Sequence, residues 1–129
     1  MKPNFSAIHH IAIIANNYDT ARHFYVDILG LKIIRENNRS DKGDIKLDLQ
    51  LNADTEIELF IKPDAPNRTS NPEALGLRHL ALKTTNIEAD IDYLINQGVK
   101  VEPLRVDDFT GKKMVFFWDP NNLPIELHE

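Results

Sequence analysis

Cysteine is absent from the 129 residues, which excludes a disulfide framework and any metal centre built on thiolates. Long apolar runs are missing too. None is longer than Ile11 to Ala15, which falls far short of the roughly 20 residues that a membrane-crossing helix needs. The opening Met-Lys-Pro-Asn-Phe has no apolar leader core, so a cytoplasmic protein is expected. Lys and Arg number 15 against 20 Asp and Glu, a formal charge of −5, and they form no phosphate-binding stripe. Neither nucleic acid nor membrane is therefore an expected partner. Glycine is scarce, at 5, and the Thr-Gly-Lys run at Gly111 is too short to cradle a nucleotide. What is present, 42% hydrophobic and 27% charged residues, suits one domain with a real core.

The order of elements reads twice. Residues 8–15 form an Ile-rich strand, Asn16 and Asn17 are cap candidates, and Ala21, Phe24, Tyr25, Ile28 and Leu29 mark a helical face that stops at Gly30. Leu31 to Arg35 is extended, Glu36 to Asp44 is a polar loop, and Ile45 to Leu51 alternates as a half-buried strand. A turn at Asn52 to Thr55 leads to a strand over Glu56 to Lys62. After a stretch holding Pro63, Pro66 and Pro72, a strand over Leu77 to Lys83 precedes a helix capped by Thr85 or Asn86. That helix turns Ile87, Ile91, Leu94 and Ile95 inward and ends at Gly98. Short extended pieces at Val99–Val101 and Leu104–Val106, a strand over Lys113 to Trp118, an Asp119-Pro120-Asn121-Asn122 turn and a strand from Pro124 to Leu127 close the chain.

Spacing supports a duplication. His10 and His79 lie 69 positions apart, and Glu58 and Glu126 lie 68 apart. Strand side chains alternate with period two, so His10 shares a face with Ala12, His79 with Ala81, Glu58 with Phe60, and Glu126 with His128. The opposite faces carry the large aliphatics that two amphipathic helices would cover. Two imidazoles and two carboxylates beside small alanines make a nitrogen-and-oxygen donor set suited to Zn, Ni, Mn or Fe(II). His9 has the wrong parity for that face, and Arg78 has the parity that points away from it. His23 falls in the first helix, and His128 is nearly terminal but shares Glu126's parity. Lys83, Lys112 and Lys113 are candidates to meet an anionic substrate. Either Met114, Phe116 and Trp118 or Val115 and Phe117 face the site, because a bulge would invert parity.

The segments His9-His10-Ile11-Ala12-Ile13, Phe24 to Leu31, Ile57-Glu58-Leu59, Gly76 to Ala81 and Asp119 to Leu127 resemble the vicinal-oxygen-chelate family. That family contains glyoxalase I, extradiol dioxygenases, methylmalonyl-CoA epimerase and fosfomycin-resistance proteins. The Asp41-Lys42-Gly43-Asp44 loop, the Pro72 to Ala81 run and the Asp107 to Lys112 segment are similar to a small bacterial glyoxalase-like (lactoylglutathione-lyase-like) subgroup. The resemblance implies an α+β fold: two βαβββ modules forming a curved mixed sheet around a metal cavity. It implies one domain over 1–129, with module one at about 7–62, a linker at about 63–76 and module two at about 77–128. It puts one divalent ion on His10, Glu58, His79 and Glu126.

Glutamate at position 58 resembles the glyoxalase pattern; the extradiol dioxygenases use no ligand there. The implied activity is therefore a metal-dependent lyase or isomerase. Its substrate would be a small chelating oxygenated molecule, such as a 2-oxoaldehyde–thiol adduct, processed through a metal-stabilised enediolate. Glu126 would be the catalytic base and Glu58 its partner on the neighbouring carbon. Only Arg39 answers the polar residues that glutathione-specific glyoxalases carry in module one. A thiol co-substrate and a homodimer are expected. A dioxygenase or thiol transferase of the same fold, and a non-catalytic small-molecule binding protein, stand as alternatives.

Overall fold

A computed structural model describes all residues, 1–129. The chain divides into two compact units, Met1–Pro66 and Asn67–Glu129. The first contains β1 (His10–Ala15), α1 (Tyr18–Arg22) continued by a π-helical turn (His23–Ile28), β2 (Lys32–Arg39), β3 (Asp44–Gln50) and β4 (Glu56–Ile61). The second contains β5 (Leu80–Lys83), α2 (Ile87–Asn96), β6 (Arg105–Val106), β7 (Lys113–Trp118) and β8 (Pro124–His128). Each unit is a βαβββ module with one mixed sheet. The strand order is β1-β4-β3-β2 in one and β5-β8-β7-β6 in the other, so the fold is α+β and duplicated. In each sheet the first and last strands of the module pair in parallel and the rest are antiparallel.

Local chemistry explains the helices. Asn17 accepts from the Thr20 N–H at 2.9 Å, and Asn86 accepts from the Ala89 N–H at 3.3 Å, each satisfying a donor that the first helical turn leaves unpaired. Gly30 at φ +76° and Gly98 at φ +80° end the two helical segments in a left-handed conformation that costs other residues energy. The first helix widens after Arg22, and the Leu29 N–H reaches the Phe24 carbonyl, five residues back, at 2.9 Å. In that wider turn the successive residues Phe24 and Tyr25 are both buried, their rings edge to face with centroids 4.9 Å apart.

Period two decides the core. Ile13 and Ala15 of β1, Leu47 and Leu49 of β3, and Ile57, Leu59 and Ile61 of β4 are buried with the apolar helical residues. In the second unit Leu80, Ile87, Leu94, Val115, Phe117, Ile125 and Leu127 are buried. Three expectations need correction. Residues 36–39 belong to β2, so the polar loop is shorter than Glu36 to Asp44. β5 starts at Leu80 rather than Leu77. Ile95 is 54% exposed, because about 100° per residue carries it some 80° round α2 from Ile87. No helix is long and apolar enough to cross a membrane.

Candidate metal and substrate site

The polar face of the first sheet is assembled by register. Ala12 lies beside Glu58, and Glu58 lies beside Asp48, so a methyl group leaves space over the carboxylate. His10, on the same face two residues before Ala12, brings Nε2 to 3.7 Å from Glu58 Oε1. Lys46 reaches the other oxygen of Glu58 at 3.6 Å and Asp48 at 3.3 Å. Arg35 forks between Asp48 and Glu56, at 2.9 Å each. Arg39 grips Asp44 with two bonds of 2.6 Å, and Lys62 adds a third at 2.7 Å. Those donors hold the buried Asp44 carboxyl far below the usual carboxylate range, Arg39 contributing most and Lys62 next. Arg39 is thus a structural partner of Asp44. Phe60 shares this face, between the Arg39 guanidinium at 5.0 Å and the Lys46 ammonium at 5.9 Å.

The second sheet repeats the pair in a different setting. Ala81 lies beside Glu126, and Phe116 lies beside it on the other flank. His79 Nε2 stands 3.5 Å from Glu126 Oε1. The His79 ring meets Phe116 edge to face, centroids 5.0 Å apart. The unshifted β7–β8 register resolves the open question of parity: Met114, Phe116 and Trp118 share the Glu126 face, while Val115 and Phe117 are core.

A cavity of about 490 Å³ opens in this second unit, lined among others by Arg68, Arg78, His79, Arg105, Phe116 and Trp118. Its size is that of a small-molecule site. Arg78 faces into it, contrary to the parity expectation, and Nη1 donates to His79 Nδ1 at 3.3 Å. The reason is local: residues 78 and 79 precede β5, so strand alternation does not govern them. Arg68 and Arg105 escaped sequence reasoning, since one lies in an irregular segment and the other in a strand of 2 residues.

The remaining candidates fall outside the two pairs. His9 sits against His10, Nδ1 to Nδ1 at 2.9 Å, and His23 pairs with Asp27 at 3.2 Å on the surface. His128 lies 3.6 Å from Asp107 and donates to the Glu129 carbonyl at 2.8 Å. That carbonyl, with Asp107, raises its pKa above the ordinary value against the opposing effect of burial. Lys113 is engaged by Glu88, which draws its pKa upward. Lys83 and Lys112 are exposed.

The four candidate ligands therefore come together two by two, and no three His, Asp or Glu side chains gather as a metal-holding group. Both separations exceed an ordinary hydrogen bond. They lie near the roughly 3.4 Å between two donors that share an ion at about 2.1 Å with tetrahedral spread. His10 suits such an ion, because its Nδ1 can donate to His9 and leave Nε2 bare. His79 needs one adjustment. A guanidinium only donates, so Nδ1 accepts in this arrangement; to bind an ion through Nε2 the neutral ring must carry its proton on Nδ1, and the Arg78 contact must open. With that change each pair offers one imidazole nitrogen and one carboxylate oxygen of the kind a divalent ion takes.

The chain belongs to the Glyoxalase/Bleomycin resistance protein/Dioxygenase superfamily, whose model matches residues 7–127. It is similar in structure to a glyoxalase family protein from Enterococcus faecalis, with TM-score 0.93 and 58% identity over 97% of this chain and 98% of that one. It is 47% identical to the uncharacterized protein YwkD of Bacillus subtilis (strain 168), covering 95% of this chain and 96% of the relative. A 2-epi-5-epi-valiolone epimerase from an Actinomyces species is 28% identical, covering 97% of this chain and 80% of its own length.

Proposed function

We propose that residues 1–129 act as a single vicinal-oxygen-chelate domain, a metal-dependent lyase or isomerase of glyoxalase type that works as a cytoplasmic homodimer. The observation that carries this reading is the repeated pair: a histidine Nε2 at 3.7 and 3.5 Å from a glutamate Oε1, one pair in each module. His10, Glu58, His79 and Glu126 would hold one ion of Zn, Ni, Mn or Fe(II). When bound, that ion supplies Lewis-acid polarisation of substrate oxygens. The epimerase name of the Actinomyces relative adds support for proton transfer at carbon.

The chain's own residues divide the rest of the work. Glu126, whose cross-strand neighbour is Phe116 rather than a charged residue, takes the proton from the carbon beside the substrate carbonyl. Glu58, balanced by Lys46, serves the neighbouring carbon. Phe116 and Trp118 wall the second module's cavity and keep water from the reacting carbon. The substrate class is a small molecule with two adjacent oxygens, among them a 2-oxoaldehyde–thiol adduct with the thiol as co-substrate.

The experiment is metal analysis of the purified protein followed by a turnover screen over 2-oxoaldehydes with several thiols. Near-stoichiometric divalent ion with turnover of one adduct is the expected result. A protein that takes up no divalent ion removes the lyase reading, and oxygen uptake with a catechol replaces it with a dioxygenase.

A further inference from the structure

The cavity of the second unit has more positive charge than its own acids balance. Arg68, Arg78 and Arg105 line it together with Glu73 and Glu102. Arg68 acts chiefly as a brace, leaving Nη1. Its Nη2 donates to the carbonyls of Leu77 and Arg78 at 2.8 and 2.9 Å, and its Nε donates to Ser70 Oγ at 3.1 Å. Arg78 is held by Glu73 through Nε at 2.7 Å and touches His79 through Nη1, leaving Nη2. Arg105 gives only Nη2 to Glu102, leaving Nε and Nη1. Its guanidinium lies over the Phe116 ring, 5.4 Å from the centroid.

The first unit offers a contrast. There Arg35, Arg39, Lys46 and Lys62 all pair with Asp44, Asp48, Glu56 or Glu58. Arg35 and Arg39 each give two nitrogens to carboxylates, whereas Arg78 and Arg105 each give only one.

We propose that this cavity is a carboxylate subsite: Arg78 and Arg105 take the carboxylate of a small organic acid, and Phe116 and Trp118 take its apolar body. Guanidinium forks match a planar carboxylate. The excess of three arginines over two glutamates matches one negative charge, which favours a carboxylate over a dianionic phosphate. Arg78 already touches His79, so the assignment rests on the preceding reading for its statement that His79 marks the reacting end. It then makes the substrate an acid whose carboxylate lies beside its chelating oxygens.

Trp118 is the only tryptophan in the chain and lines the cavity, so its fluorescence reports occupancy without any activity assay. The full chain is titrated with cyclohexanecarboxylate, with the neutral cyclohexanecarboxamide and with inorganic phosphate. A saturable change with the carboxylate, at least about ten-fold tighter than with either other probe, is expected. Arg78→Gln and Arg105→Gln are each expected to weaken the carboxylate about ten-fold, whereas Lys32→Gln, at an exposed position of the first unit, leaves it unchanged.

Equal binding of acid and amide overturns the subsite, as does unaltered affinity in both arginine variants. Phosphate binding as tightly as the acid overturns the assignment to a carboxylate. Metal uptake, measured on the same samples, separates the two readings. Carboxylate selectivity without a bound ion removes the lyase and keeps the subsite; a bound ion without selectivity does the reverse.

Discussion

Phe116 stands across the β7–β8 ladder from Glu126 at the register position that Asp48 takes across from Glu58 in the first module. The two modules share a frame and differ in what surrounds the carboxylate. Glu58 sits in a web of charge with Lys46 and, through Asp48, Arg35. Glu126 has an aromatic ring and His79 for company. On the proposed function, the first carboxylate is the neutralised one and the second is the base.

This asymmetry predicts unequal variants. Glu126→Gln, which keeps an oxygen donor in place, is expected to lower kcat by about 10² to 10⁴-fold, the range for loss of a general base. Glu58→Gln is expected to lose less. Side-by-side kinetics on the metal-loaded variants decide it, and near-normal turnover of E126Q would move the base elsewhere.

The metal reading predicts one ion per chain, because each module supplies only two donors. His10→Ala and His79→Ala should each lower occupancy of that single ion, by the same ten-fold or more in affinity, although they lie in different modules. Mass spectrometry under non-denaturing conditions counts ions directly. Two ions per chain, with each variant losing one, would make the pairs separate sites.

Much of this was legible from residue order. The duplication, the faces of the strands and the four candidate ligands followed from period-two alternation and from the 69- and 68-residue echoes. The sheet pairs each alanine with its glutamate, Ala12 with Glu58 and Ala81 with Glu126. Legibility stopped where periodicity stops. Arg78 precedes β5, and Arg68 lies in the irregular segment before it, so no alternation tells where their side chains point. The feared bulge exists, but in β2 between Ile33 and Arg35, where it brings Ile34 to 36% exposure. The β7–β8 ladder runs unshifted, and there the simple count from Glu126 would have found Phe116.

Parity in β7 makes a stability prediction as well. Phe117 is fully buried and Phe116 only partly so. Phe117→Ala is expected to cost about 3–5 kcal/mol, the transfer term plus the cavity left behind. Phe116→Ala should cost less than half of that while altering the Trp118 signal. Urea unfolding of both variants checks the order, and the reverse ranking would mean that the faces of β7 are exchanged.

Asp44 offers a test by acid. Its carboxyl is held below the ordinary carboxylate range chiefly by the Arg39 fork and then by Lys62. A depressed carboxylate contributes stability above its unfolded pKa of about 4, and that contribution is lost as pH falls toward the folded value. Asp44→Asn should therefore lower Tm at neutral pH, since Arg39 and Lys62 lose their shared counter-charge. The gap between wild type and variant should narrow steadily from about pH 4 downward. Thermal melts across that range measure it; a gap that stays constant with pH would mean that Asp44 stabilises the β2–β3 hairpin by shape and not by charge.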